Sequence, residues 1–229
     1  MKLCVALDLP TKQENIRLAK NIKEFDIWLK VGFRSYIRDG RELIDELKDI
    51  NENFKIFLDL KLYDIPNTMA DAAEEIADIG IDMFNIHASS GEVAMSMVMD
   101  RVSKLERKPL VLAVTALTSF DDKTFRSVYH KGINEKAEEF AKSSFKSGVD
   151  GVVCSAFESK MIKDHTSEEF LTLTPGIRPF GESSDDQKRV ADIELARKEM
   201  VDFIVVGRPI YRSDDPKAVV QKILSNISI

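Results

Sequence analysis

Eight short runs rich in aliphatic and β-branched residues recur along the chain, and longer stretches with apolar residues three and four apart lie between them. The runs fall at 3–9, 27–32, 55–61, 83–87, 110–117, 151–155, 170–176 and 203–208. Helical spacing is clearest at 12–24, 41–50, 68–79, 91–106, 135–146 and 216–227. Strand and helix alternating eight times within 229 residues predicts a single (β/α)8 TIM barrel in the α/β class, one domain spanning 1–229. An open doubly wound sheet is the competing architecture, but no GxGxxG follows the first run to mark a dinucleotide site. No internal repeat, low-complexity tract or linker is evident that would divide the chain.

Charge and cysteine content then narrow the function classes. With 33 Lys and Arg against 39 Asp and Glu, the net charge of −6 argues against a nucleic-acid partner, so any bound phosphate must be held locally. The apolar run before Asp8 is too short for the core of a signal peptide, and no later run is long enough to cross a bilayer, so no membrane association is expected. Cys4 and Cys154 sit within strand-like runs, away from disulfide or metal-ligand spacings. A reduced, cytoplasmic protein is expected.

In a barrel of this kind the active site lies at the C-terminal ends of the strands. Side chains alternate along a strand, so Ile56, Leu58, Leu60 and Leu62 share one face of the third run, and Phe57, Asp59 and Lys61 share the other. The aliphatic face suits packing beneath helices, which directs Asp59 and Lys61 into the barrel mouth. By the same alternation, Asp8 of the first run and Lys30 of the second point inward, and Asp64 follows Lys61 by three residues. Four inward charges on three adjacent strands could form a register-holding ion network. Buried ion pairs return little net stability, however, because desolvation opposes the pairing, and apolar residues would fill the space without that cost.

The stretch DLKLYDIPNT (59–68) resembles the DxKxxDIPNT signature of the orotidine 5′-monophosphate decarboxylase family. The likeness continues in order through ALD (6–8), LKVG (29–32), NIHASSG (85–91), VTALTS (114–119), DGVVCSA (150–156), TPGIRP (174–179), DDQKRV (185–190) and VVGRPI (205–210). Two departures are Ser90, where the family often has Gly, and Glu199–Met200, which replace a small-residue turn. The resemblance implies conversion of orotidine 5′-monophosphate (OMP) to UMP, the last step of de novo pyrimidine nucleotide synthesis, with neither metal nor cofactor. Loss of CO2 from C6 leaves a carbanion in the ring plane, so the protein must supply electrostatics and a proton. On this reading Lys61 protonates C6, Asp59 disfavours the departing carboxylate, and Lys30 and Asp64 complete an alternating array that keeps Lys61 charged. Asp8 and Lys30 would hold ribose hydroxyls, and Thr118 the pyrimidine. Pro175, Arg178, Gln187, Gly207 and Arg208 would complete the substrate-binding set, with phosphate at Gly207–Arg208 and a lid over 179–186. The family further implies a homodimer in which Asp64 and Thr68 reach the partner's site.

The runner-up is a magnesium-dependent sugar-phosphate decarboxylase or aldolase of the same superfamily. Those relatives carry a metal-binding Glu where this chain has Lys30, and a cation there would repel Mg²⁺. A catalytically silent phosphate-binding barrel is the non-enzymatic alternative, which the intact charge array disfavours. His87 reads as a hydrogen-bonded structural histidine, His130 and His165 as residues of polar connecting segments, and Met95, Met97 and Met99 as core filling.

Overall fold

The structure, a computed structural model, describes residues 1–181 and 189–228. Eight parallel strands close into a barrel in sequence order, β1 (Lys2–Ala6), β2 (Trp28–Gly32), β3 (Lys55–Leu62), β4 (Met83–His87), β5 (Leu110–Val114), β6 (Gly151–Val153), β7 (Leu171–Thr174) and β8 (Phe203–Val206). Closure is made by β1 against β8, with Cys4 opposite Val205. Every predicted run contains a strand. The runs 3–9, 110–117, 151–155, 170–176 and 203–208 extend too far, since their ends, at Asp8, Leu117, Ser155, Pro175 and Gly207, lie beyond the paired strands.

Alternation along the strands builds two cores. Outward residues such as Leu3, Val5, Leu29, Ile56, Leu58 and Ile204 pack beneath the helices. Inward residues Cys4, Phe57, Met83, Leu112 and Phe203 plug the barrel, and Trp28 meets Phe203 edge-on at 5.3 Å. The interior is therefore packed at the N-terminal end of the strands, and the polar inward residues lie at the opposite end.

The six predicted helical stretches correspond to α1 (Lys12–Asn21), α2 (Phe33–Ile50), α3 (Pro66–Asp78), α4 (Glu92–Val102), α6 (Ile133–Lys146) and α10 (Pro216–Ile227). A capping box between Thr11 and Glu14 opens α1, and proline opens α3 and α10. Helix α2 begins eight residues before the predicted 41, because Gly40 kinks it at φ 60° and hides the continuity of its two halves. Among the described residues four further helices, α5 (Asp122–Tyr129), α7 (Ala156–His165), α8 (Ile193–Lys198) and α9 (Arg208–Tyr211), lie outside those six stretches, α7 and α8 following β6 and β7 as the eightfold alternation requires. Three are short, and the buried face of α7 carries Glu158, Ser159 and Lys163 where a periodicity reading expects apolar residues. His165 thus ends a helix instead of lying in a connecting segment, with Nδ1 2.9 Å from the Met161 carbonyl. Met95 is core, but Met97 is exposed. No described helix is long and apolar enough to cross a membrane.

A short repeat, invisible as sequence self-similarity, also emerges. Asp82, Asp150 and Asp202 immediately precede β4, β6 and β8, and each carboxylate accepts a 2.8 Å bond from a backbone N–H of the preceding strand, at Ile56, Val111 and Thr172. The backbone carbonyls of the same aspartates accept from Leu110, Leu171 and Lys2 on the strand after next. Each aspartate therefore staples three strands at the closed end of the barrel. The residue two positions earlier adopts positive φ at Gly80, Gly148 and Met200, the last being the departure noted in the sequence.

Candidate active site

At the open end of the barrel lies a cavity of about 420 Å³, of a size suited to a small ligand. Its charged wall comes from β1–β3. Lys30, on β2, is buried with Nζ 3.1 Å from both carboxylate oxygens of Asp8 and 3.6 Å from Oδ2 of Asp59. Lys61 Nζ donates to Asp59 Oδ1 at 2.5 Å. The order Asp8, Lys30, Asp59, Lys61 thus alternates in sign, and each charge has an opposite neighbour.

Close approach within this array depends on Gly32. A Cβ there would stand 2.8 Å from Asp8 Oδ1 and 2.9 Å from Lys30 Nζ. Burial pushes the Asp59 carboxyl up, but Lys30, Lys61 and the Asn85 amide outweigh it and hold the group below the usual carboxylate range. Burial likewise pulls the Lys30 ammonium down, and Asp59 and Asp8 more than restore it. Both side chains are therefore ionised at neutral pH.

The opposite wall is apolar, formed by Val114, Val153, Leu173 and Val205, with Phe57 below. Thr118, Pro175, Arg178, Gly207 and Arg208 line the rim. Thr118 lies in the loop from β5 to α5, four residues past Val114. Arg178 is buried in the loop four residues past Thr174, the last residue of β7, and its backbone N–H donates to the Ala191 carbonyl at 2.8 Å. Arg208 opens α9 directly after Gly207. Tyr211, one turn further on, also lines the cavity, and burial followed by the field of Asp8 pushes its phenol up. Arg189, outside the cavity lining, pairs with the buried carboxylate of Glu158.

The expected site residues therefore divide into three groups. Asp8, Lys30, Asp59, Lys61, Thr118, Pro175, Arg178, Gly207 and Arg208 converge on one cavity. Asp64 and Thr68 are exposed and do not line it, and the Asp64 carboxylate accepts from the backbone N–H of Ile65. Gln187, with most of the expected lid 179–186, lies outside the described residues. The apolar wall escapes a sequence reading because its valines and leucine follow the same alternation as core residues. Asn85, which bonds Asp59 from β4, escapes it too, because nothing in the motif that holds it gives its side chain a role. Among the described residues the His87 ring makes none of the hydrogen bonds expected of a structural histidine, although its backbone carbonyl accepts from Ser90 Oγ. Its ring instead lies against Tyr63 with centroids 5.6 Å apart, and burial followed by Lys61 lowers its pKa.

A closed parallel barrel with a ligand-sized cavity at the C-terminal ends of its strands, charged on one wall and apolar on the other, defines a (β/α)8-barrel enzyme. Within that class, the chain belongs to the Orotidine 5'-phosphate decarboxylase / HUMPS family, whose model matches residues 1–223. It is 66% identical over 228 residues to the orotidine 5'-phosphate decarboxylase of a Sulfurovum species, covering 100% of this chain and 99% of that protein. Identity to the orotidine 5'-phosphate decarboxylase of a Nitratiruptor species is 65% over 227 residues, covering 99% of this chain and 100% of the relative. The solved orotidine 5'-phosphate decarboxylase of Lactobacillus acidophilus superposes with a TM-score of 0.86 at 32% identity, covering 100% of this chain and 99% of that one.

Proposed function

We propose that this chain decarboxylates orotidine 5′-monophosphate to UMP, using the four-charge array at the mouth of its own barrel and taking Asp64 and Thr68 from a second copy. The observation that carries this reading is the pairing of Lys61 with Asp59 beside Lys30 and Asp8, in a cavity whose far rim presents Arg178 and Arg208. The pyrimidine lies between charged and apolar walls with C6 toward Lys61, and Thr118 at its edge. Departure of CO2 leaves an electron pair on C6. The Lys61 ammonium, held in place before the reaction, stabilises that pair and then donates its proton to it, so the C–C bond is replaced by a C–H bond. Asp59 faces the substrate carboxylate and favours its loss, a contribution that grows as water is excluded by the apolar wall. Asp8 and Lys30 bind ribose hydroxyls. Arg208 offers a planar fork to the phosphate, and Gly207 admits it close to the backbone.

The ammonium of Lys30 between Asp8 and Asp59 supports this chemistry over the magnesium-dependent alternative, because a divalent cation would have to displace it. Asp64 and Thr68 act across a two-fold interface. Exposed Phe33 and Ile37 on α2, Tyr63 and Ile65 after β3, and Val93 on α4 support that interface, being carried by the segments that follow three adjacent strands. The working compartment is the cytoplasm. Incubation of the purified chain with OMP and excess EDTA tests the reading. Loss of the substrate's ultraviolet absorbance with formation of UMP is expected at the rate seen without chelator. Turnover that vanishes with EDTA and returns with Mg²⁺ would overturn it.

A further inference from the structure

Strand alternation accounts for where Asp59 points, but the placement of Lys61 needs something more. Lys61 has φ 56°, in the left-handed region that a residue with a side chain adopts only when its surroundings impose it. At this point β3 and β4 lose register. Leu58 pairs with Phe84 and Leu62 with Ile86, so four steps of β3 span two steps of β4. The Lys61 amide has consequently left the backbone ladder, and it donates instead to the Asn85 side chain, at 2.7 Å from Oδ1.

Asn85 occupies an inward position of β4, beside Leu112 of β5, and is wholly buried without lining the cavity. A carboxamide in such a place is costly unless both of its ends are bonded. Both are. Because a backbone N–H can only donate, Oδ1 must face Lys61, and Nδ2 must then face Asp59, to whose Oδ1 it donates at 2.8 Å. The same carboxylate oxygen receives Lys61 Nζ at 2.5 Å. One side chain thus holds the backbone at the point where Lys61 is re-aimed, and also the carboxylate that the re-aimed ammonium meets.

We propose that Asn85 is a positioning residue for the decarboxylation, setting the Asp59–Lys61 geometry from behind without touching the nucleotide. The inference rests on the role given above to the charge array. Its bland counterpart is a buried asparagine that only completes the sheet, and two substitutions separate the two. Asn85→Ala removes both bonds. Asn85→Asp keeps the shape, and its carboxyl, when protonated, offers one acceptor and one donor as the amide does. When ionised it cannot donate to Asp59 and repels it. Asn85 bonds Asp59 and Lys61 of β3 directly; Lys30 of β2 acts on Asp59, Cys4 of β1 lies in the field of Lys30, Asp59 and Asp8, and His87 of β4 in that of Lys61 and Asp59, while β5 contributes apolar Leu112.

The expected result for Asn85→Ala is UMP affinity near that of the wild type, with kcat reduced on the order of 10²-fold at every pH, the cost of misplacing reacting groups by about 1 Å. For Asn85→Asp, kcat relative to wild type should climb as pH is lowered from about 9 to about 5 and the introduced carboxyl takes up its proton. Wild-type kcat in Asn85→Ala overturns the proposal, as does a pH-independent ratio for Asn85→Asp. A loss of UMP binding together with turnover at every pH in both variants would mark Asn85 as structural and overturn it too. Lys61→Ala assayed in parallel distinguishes the layers of the argument. An active Lys61→Ala overturns the array itself, whereas an inert Lys61→Ala beside a fully active Asn85→Ala overturns the positioning role alone.

Discussion

Gly32 shows how the absence of a side chain shapes the charge array. Its φ of −83° is open to any residue, so alanine there would not strain the backbone. The added Cβ would instead meet the tips of Asp8 and Lys30, which are flexible enough to move aside. Gly32→Ala is therefore expected to fold with nearly unchanged thermal stability while the Asp8–Lys30 pair is displaced. On the proposed roles, kcat/KM for OMP should fall by roughly 10- to 100-fold, since both groups hold the ribose. Steady-state kinetics beside a thermal melt checks this, and an unaltered kcat/KM would show that the spacing of the pair is immaterial. The pattern of charges was legible from strand alternation. Their separation was not, because it depends on a glycine whose φ and ψ look ordinary.

Among the strands, the three aspartate staples at the closed end stand apart from the chemistry. Burial raises the Asp82 carboxyl, but the Ile56 N–H, Lys48, Arg107 and Lys55 prevail and hold it below its ordinary value. A carboxyl with a depressed folded-state pKa contributes stability above its unfolded pKa of about 3.9, and that contribution is lost as pH falls through the folded value. Asp82→Asn keeps an acceptor for the Ile56 N–H and removes only the charge. Its partners Lys55 and Arg107 are more than half exposed, so solvent screens much of the attraction. Urea unfolding at pH 7 should show a destabilisation of about 1 kcal/mol. The difference should close as pH falls below the folded pKa of Asp82, and a gap that stays constant into acid would show that the charge is not the cause. UMP affinity at neutral pH should be unchanged, since the staple lies at the end of the barrel away from the cavity.

For the assembled molecule, the exposure of Asp64 and Thr68 is the informative feature, since both belong to the signature motif yet neither reaches the cavity of its own barrel. If Asp64 acts in the partner's site, Lys61→Ala and Asp64→Asn chains, each inactive alone, should complement one another. Unfolded together and allowed to reassort, about half of the dimers would be mixed, and each mixed dimer would hold one doubly defective and one intact site. Activity should return to roughly a quarter of the wild-type value by the closed two-fold geometry. If Asp64 serves its own barrel, every site keeps one defect and the mixture stays as inactive as its parents.

The barrel could be read from the chain because both of its periods are local. Alternation by two sets which strand residues face inward, and repeats of three and four set which helix faces pack, so Asp59, Lys30 and Asp8 could be assigned to the mouth from the sequence alone. The ends of strands and the short helices resisted such reading, since they depend on where the ladder stops and on polar residues such as Glu158 and Lys163 buried within α7. Non-local bonding settled the rest. Lys61 leaves its ladder because β3 carries two more residues than β4 across the same span, and Asn85 can hold it there only because the parallel pairing of β3 with β4 brings the two strands side by side. An amide 24 positions away in sequence thereby becomes a direct partner of the proposed proton donor, a relation that no pattern of spacing along the chain encodes.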